Sequence, residues 1–192
     1  MSQSAEQPVV AAVAGRRIDP PGASARRFPA GREPAVKAAL RSLLIDLDAL
    51  AVVCSAACGA DILALETAGE LGLRRLVILP FDANRFRQTS VADRPGDWGV
   101  RFDKIIAEVA ARGDLIVLGL AEGDQAYRGA SREILERTKA LAATLSAEAR
   151  AIVVWEGSSR GPGDMTLLFL EQATDIGMPV RQIITIDGQG DA

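Results

Sequence analysis

Residues 52–72, "VVCSAACGADILALETAGELG", contain the strand-to-helix step from which the rest of the architecture follows. An apolar run ends in Ser, Ala and Cys, turns at Gly59, and continues with helical periodicity through Asp61 and Glu66. A short continuous apolar run reads as a strand buried on both faces, and the helix after it as the crossover to a parallel neighbour. The turn itself is built almost entirely of small side chains, which brings backbone amides close to whatever lies in front of it.

The same unit repeats in both directions along the chain. Runs rich in Val, Ile and Leu occur at residues 8–15 "PVVAAVAG", 50–56 "LAVVCSA", 74–81 "RRLVILPF", 114–121 "DLIVLGLA", 150–157 "RAIVVWEG" and 181–187 "RQIITID". Between them, amphipathic patterns predict helices over residues 34–47, 60–71, 98–112, 131–146 and 164–176. This alternation predicts a single α/β domain, a doubly wound, mostly parallel sheet of about six strands with helices on both faces, Rossmann-like, over residues 8–187. Residues 1–7 and 188–192 read as disordered ends. Analogy with other doubly wound folds gives the strand order 3-2-1-4-5 with the last strand at an edge.

Composition excludes several classes of function. The 192 residues are 48% hydrophobic and 24% charged with a net charge of −3, the balance of a soluble globular protein and not of a phosphate-backbone binder. Nucleic acid is therefore not expected as the main partner. No apolar run reaches the roughly 20 residues of a membrane span, and the N-terminus lacks the pattern of a signal peptide, so a cytoplasmic location and no membrane partner are expected. Histidine is absent, which removes Ser/His and Cys/His nucleophile pairs and the commonest zinc ligand. Cys54 and Cys58 have no second ligand cluster to join and read as small buried side chains, so neither a metal nor a cofactor is expected.

Ligands in open parallel sheets sit beyond the carboxyl ends of the strands. After the first strand, Gly15 permits close backbone approach, and Arg16 and Arg17 carry guanidinium forks suited to a phosphate. The chain has 19 Arg against three Lys, so placement and not abundance is the signal. After the second strand, Ser55, Cys58 and Gly59 form a turn at a helix opening, where free amides and the positive helix end suit an anion, and Asp61 is placed for a ribose hydroxyl or for the dipole. A tight turn that merely needs small residues explains the same pattern equally well.

After the fifth strand, "WEGSSRGPGDMT" makes a second such turn. Ser158, Gly161, Gly163 and Thr166 offer amides and hydroxyls, Arg160 offers charge, Trp155 a stacking surface and Glu156 an acceptor for ribose hydroxyls. Tyr127 and Arg128 are contact candidates in the segment that leads into the helix expected from Ser131, whereas Glu133 reads as a surface residue. The loops at residues 15–33 and 82–97 are long for a compact domain and read as lids or binding loops. The apolar helices "ILERTKALAATL" and "MTLLFLEQA" present faces able to pair two copies of the chain, so a homodimer is a candidate state.

These motifs together resemble the SLOG superfamily, Rossmann-like domains related to the Lonely Guy phosphoribohydrolases and DNA-processing protein A. The resemblance rests on "SAACGADILALETAGELG", "RRLVILPF" and "WEGSSRGPGDMTLLFLEQATDIGMPV". It implies a nucleotide or nucleotide-derived ribose-phosphate ligand, held by Gly161, Gly163 and Thr166 among others, and a sensor or accessory role. The alternative it implies is a phosphoribohydrolase cleaving the N-glycosidic bond of a nucleoside monophosphate, with Glu156 or Glu66 as the candidate catalytic carboxylate. "GPGDMTLLFLE" lacks the paired glycines of the Lonely Guy signature P-G-G-x-G-T-x-x-E and sets Glu171 further along the helix, so that family's catalytic Glu has no counterpart here.

Overall fold

The computed structural model describes residues 7–187; residues 1–6 and 188–192, which the sequence assigns to disordered ends, lie outside the described part. Six strands form one parallel sheet: β1 (Val9–Gly15), β2 (Ala49–Cys54), β3 (Arg74–Leu79), β4 (Leu115–Val117), β5 (Glu148–Trp155) and β6 (Val180–Ile184). The helices are α1 (Glu33–Asp46), α2 (Ala60–Glu70), α3 (Ala83–Ser90), α4 (Trp98–Ala111), α5 (Asp124–Leu145) and α6 (Met165–Asp175).

Period-two alternation along the strands divides the core. On β1, Val9, Ala11 and Val13 face α1, α2 and α4, where Leu40, Leu44, Leu63 and Phe102 are buried. Val10 and Ala12 face α5 and α6, meeting Ile134, Leu135, Phe169 and Ala173. The apolar faces of α5 and α6 are thus turned largely to the sheet. Both sides of β1 need side chains, which is why its sequence is continuously apolar.

The strand order is 4-3-2-1-5-6, with β6 at an edge as expected, but β5 beside β1 in place of β4. Each of the first three crossovers steps one strand outward in the same direction, and β4 ends that run as a three-residue edge. The 22-residue α5 then carries the chain back across the opposite face to pair β5 with β1 along its full length, from Val9–Glu148 to Gly15–Val154. The winding therefore reverses between β1 and β5, and the loops that follow these two strands flank the crevice.

Two local expectations change. Half of the long loop at residues 82–97 is α3, opened by the Asp82 carboxylate accepting from the Asn84 and Arg85 amides at 3.0 and 3.1 Å. Helix α5 starts at Asp124 rather than near Ser131, so Ser131 lies two turns inside it and caps nothing.

Candidate functional site

A cleft of about 550 Å³ opens at the carboxyl ends of β1, β2 and β5, within the range of small-molecule sites. Its floor is the end of β1. One wall is the turn after β2, with Ser55, Ala57 and Asp61; the opposite wall is the start of α6, with Gly163, Met165 and Thr166. The α5 face carrying Asp124, Tyr127, Ser131 and Ile134 closes a third side, and five arginines, Arg16, Arg17, Arg27, Arg94 and Arg160, line the cleft. Both turns singled out by the sequence therefore border one cleft.

The chain already uses much of what those turns offer. At the α2 opening, the Ala57 amide donates to Asp61 Oδ2 at 3.2 Å, Cys58 to the Ser90 carbonyl at 3.1 Å, and Ala60 to the Arg16 carbonyl at 3.1 Å. Gly59 has φ 93°, and a Cβ there would sit 2.6 Å from the Arg16 carbonyl oxygen. Gly59 is glycine because the loop after β1 crosses directly over it, and it does not line the cleft. At the α6 opening, Asp164 accepts from the Thr166, Leu167 and Arg160 amides at 3.0, 3.2 and 2.9 Å. A carboxylate thus caps the α6 end, and at the α2 end the amides of Ala57, Cys58 and Ala60 are bonded within the chain, where the sequence suggested an external anion.

Arg16 departs most from its expected role. Its side chain is buried and turned to two carboxylates: Nε and Nη2 bond Glu156 at 2.5 and 3.0 Å, Nη1 and Nη2 bond Asp164 at 2.6 and 2.9 Å, and Nη2 also donates to the Ser158 carbonyl at 2.9 Å. Arg27 adds a 2.7 Å bond to Glu156. The four groups are neutral as a set and lock the loops after β1 and β5 together. Burial works to raise the pKa of both carboxyls, but the Arg16 guanidinium together with backbone amides and, for Glu156, Arg27 outweighs it and holds Glu156 below, and Asp164 well below, their ordinary values. Burial likewise works to lower the Arg16 pKa, and its two partners raise it on balance.

Several candidates stand away from the cleft lining. Trp155 is buried in the core on the α5–α6 side, its indole donating to Gln182 at 2.8 Å. Glu66 is bonded by Arg101 at 2.7 Å through both oxygens, in a cluster with Glu33 that ties α1, α2 and α4. Glu156, Ser158 and Gly161 also lie outside the lining, and Cys58 is buried beneath the guanidinium of Arg17 at 3.5 Å. Gly15 lines the cleft, yet a Cβ would lie 2.6 Å from that of Ala60, so helix packing also requires a glycine there. Ser55 lines it with its hydroxyl spent on the Ile78 carbonyl at 2.7 Å.

Tyr127 does border the cleft, its hydroxyl 3.0 Å from Ser90 Oγ and its ring edge-on to Phe81. Arg128 does not line it. Arg17 and Arg94 share Asp93, and Arg94 also donates to the Ile18 carbonyl at 3.0 Å, which folds the segment after α3 over the loop after β1. Sequence reasoning missed Arg94 and Ser131; Ser131 lies seven residues after Asp124 on one helix, a signal hidden by starting α5 too late. Among the described residues no cluster of His, Cys, Asp and Glu is arranged to hold a metal ion, and no helix is long and apolar enough to cross a membrane.

Asp61 is the one strongly perturbed acid on the lining. Burial raises its pKa from 3.8 to about 7, against the opposing pull of the Ala57 amide and of Arg17.

No protein-family model and no curated protein matches the sequence. Among solved structures, the X-ray structure of DNA processing protein A (DprA) from Streptococcus pneumoniae is similar, with a TM-score of 0.55 at 17% identity. The match covers 96% of this chain and 53% of the DprA chain, so this protein spans about half the length of that neighbour. The likeness establishes the Rossmann-like α/β fold. DprA is also one of the relatives named by the sequence resemblance, which agrees with that grouping at the level of architecture.

Proposed function

We propose that the cleft between β1 and β5 binds a nucleotide or a nucleotide-derived ribose-phosphate molecule, and that the protein serves as a sensor or accessory component. The observation that supports this reading is the composition of one cleft: five lining arginines, three of them outside the Glu156 ion network, apolar side chains from β1 and α5, and a buried carboxyl, all at the strand-order reversal where such ligands sit. Because Asp164 caps the α6 opening and the Ala57, Cys58 and Ala60 amides at the α2 opening are bonded within the chain, the phosphate falls to Arg17, Arg94 and Arg160. Arg160 is the most available, bonding only the Gly163 carbonyl at 3.1 Å and the Arg16-bound Asp164 at 3.9 Å.

The neighbour's name concerns DNA processing, but the net charge of −3 and a concave site favour a small molecule over a polyanion. Hydrolysis of an N-glycosidic bond is the weaker reading, since Glu156 and Glu66 lie outside the cleft lining and are each ion-paired to an arginine. Thermal unfolding with nucleoside mono- and diphosphates tests the proposal: a ligand at 100 times its Kd adds about 2.7 kcal/mol. Arg160→Ala is expected to weaken binding about tenfold. Stabilisation by none of these ligands removes the proposal, and release of free base at enzymic rates replaces it with the hydrolase.

A further inference from the structure

Asp61 has an acceptor that the chain leaves unused. The residue sits in the first turn of α2, is 8% exposed and borders the cleft. Oδ2 takes the Ala57 amide at 3.2 Å; Oδ1 takes no hydrogen bond from the described residues. Among the described residues the side-chain atoms that are both sealed and unpartnered are Arg32 Nε and Gln172 Oε1, so the unbonded Oδ1 of this cleft-lining residue is not sealed but open to the cleft. A nearly buried carboxyl with one free oxygen facing a ligand cavity is costly to ionise unless something donates to it.

The charged and titratable groups around it leave this need unmet. Arg17 is the cation that acts on Asp61, and its own fork is taken by Cys58 and Asp93. Beneath it on β2, burial holds the Cys54 thiol well above its ordinary pKa, and the Asp61 charge pushes it further the same way. On the other walls stand Asp124 and Tyr127 of α5 and Arg94, the last engaged with Asp93 and the Ile18 carbonyl.

Taking the cleft as a nucleotide site, we propose that Asp61 selects its ligand for a donating ribose hydroxyl, and that binding expels the Asp61 proton so that occupancy is coupled to this one carboxyl. The neutral acid is half-populated near pH 7, because burial lifts its pKa to about 7. A hydroxyl that donates to this oxygen stabilises the ionised form more than the neutral one and lowers the pKa in the complex. Affinity is then full above pH 7 and falls as the pH drops below it. At pH 6 about nine-tenths of the free protein is protonated, so binding there is about tenfold weaker than at pH 8.

The test is calorimetric titration of the full chain with the four ribonucleoside monophosphates and their 2′-deoxy counterparts, at pH 6 and pH 8, for wild type and Asp61→Asn. For the tightest ribonucleotide, wild type is expected to bind about tenfold better at pH 8, to release a proton at pH 6, and to prefer ribose over deoxyribose at least tenfold at pH 8. Asp61→Asn, which keeps an acceptor for the Ala57 amide, is expected to lose both preferences. The ligand's own second phosphate ionisation near pH 6 is common to both proteins, so their difference isolates Asp61. Equal binding of ribo and deoxy ligands with no proton release overturns this inference and leaves the nucleotide site standing. No binding of any of the eight at either pH overturns the nucleotide reading and this inference with it. Should Asp61→Asn fail to melt cooperatively, proton release and the deoxy comparison on wild type decide alone.

Discussion

Arg16 keeps its charge in a nearly dry site because two carboxylates each meet it through two hydrogen bonds, and removing it leaves both short of a buried cation. Taking one partner from a buried ion network costs about 3–5 kcal/mol. Arg16→Ala is expected to lose that much in urea unfolding at pH 7. Glu156 and Asp164 have folded pKa values below their unfolded ones, so their contribution is present above the ordinary carboxylate range and is lost as acid protonates them. The deficit of Arg16→Ala is therefore expected to shrink below about pH 4. Asp61 has the opposite sign: its folded pKa is raised, the folded state holds the extra proton, and stability declines as the pH rises from about 4 to 7. Raising an acid from 3.8 to about 7 costs up to about 4 kcal/mol at pH 8. Asp61→Asn is expected to be more stable than wild type at pH 8 and indistinguishable near pH 4, measured by denaturant unfolding at both. A pH-independent difference would mean that folding leaves the Asp61 pKa unchanged. A side chain that weakens the fold at working pH fits a site residue better than a structural one.

Helix α2 and the loop after β1 form one interlocked turn. Gly59 at φ 93° leaves no room for a Cβ against the backbone of Arg16 and Ile18. Gly59→Ala is expected to cost roughly 1–3 kcal/mol from backbone strain alone, a fall of several degrees in Tm by calorimetry, with Cys58 and Ser55 untouched. The turn was visible in the sequence because small residues and a glycine between an apolar run and a helix have few other uses. What they are used for was not visible, since crossing by another loop and contact with an anion demand the same lack of side chain. Helix α3 escaped detection for a different reason: its 8 residues are mostly polar and bury only Phe86 and Ser90, too little for a periodic signal. Arg16 could not be assigned from sequence because its partners lie 140 and 148 residues away.

Local pattern fixes that strands and helices alternate and which strands are buried on both faces, but not the point at which the winding reverses. That depends on which face α5 crosses, and a helix with apolar residues on one side suits either face. The observed order puts β1 at the centre, paired along its length with β5 and backed by helices on both sides, while β4 contributes three residues at an edge. This arrangement ranks the strands by the cost of opening them. Freeing a β1 amide breaks two ladders and exposes core on both faces, so it requires unfolding of the whole sheet; freeing β4 breaks one short ladder beside an exposed Val117. Amide hydrogen exchange is therefore expected to be slowest at Val10–Val13 and Ile152–Val154, with protection equal to the global unfolding free energy. Leu115–Val117 are expected to exchange at least a hundredfold faster, through local opening. Equal protection of β4 and β1 would show that the edge is covered in solution by something that pairs with it, and the exposed side chains of β4 would then belong to an interface.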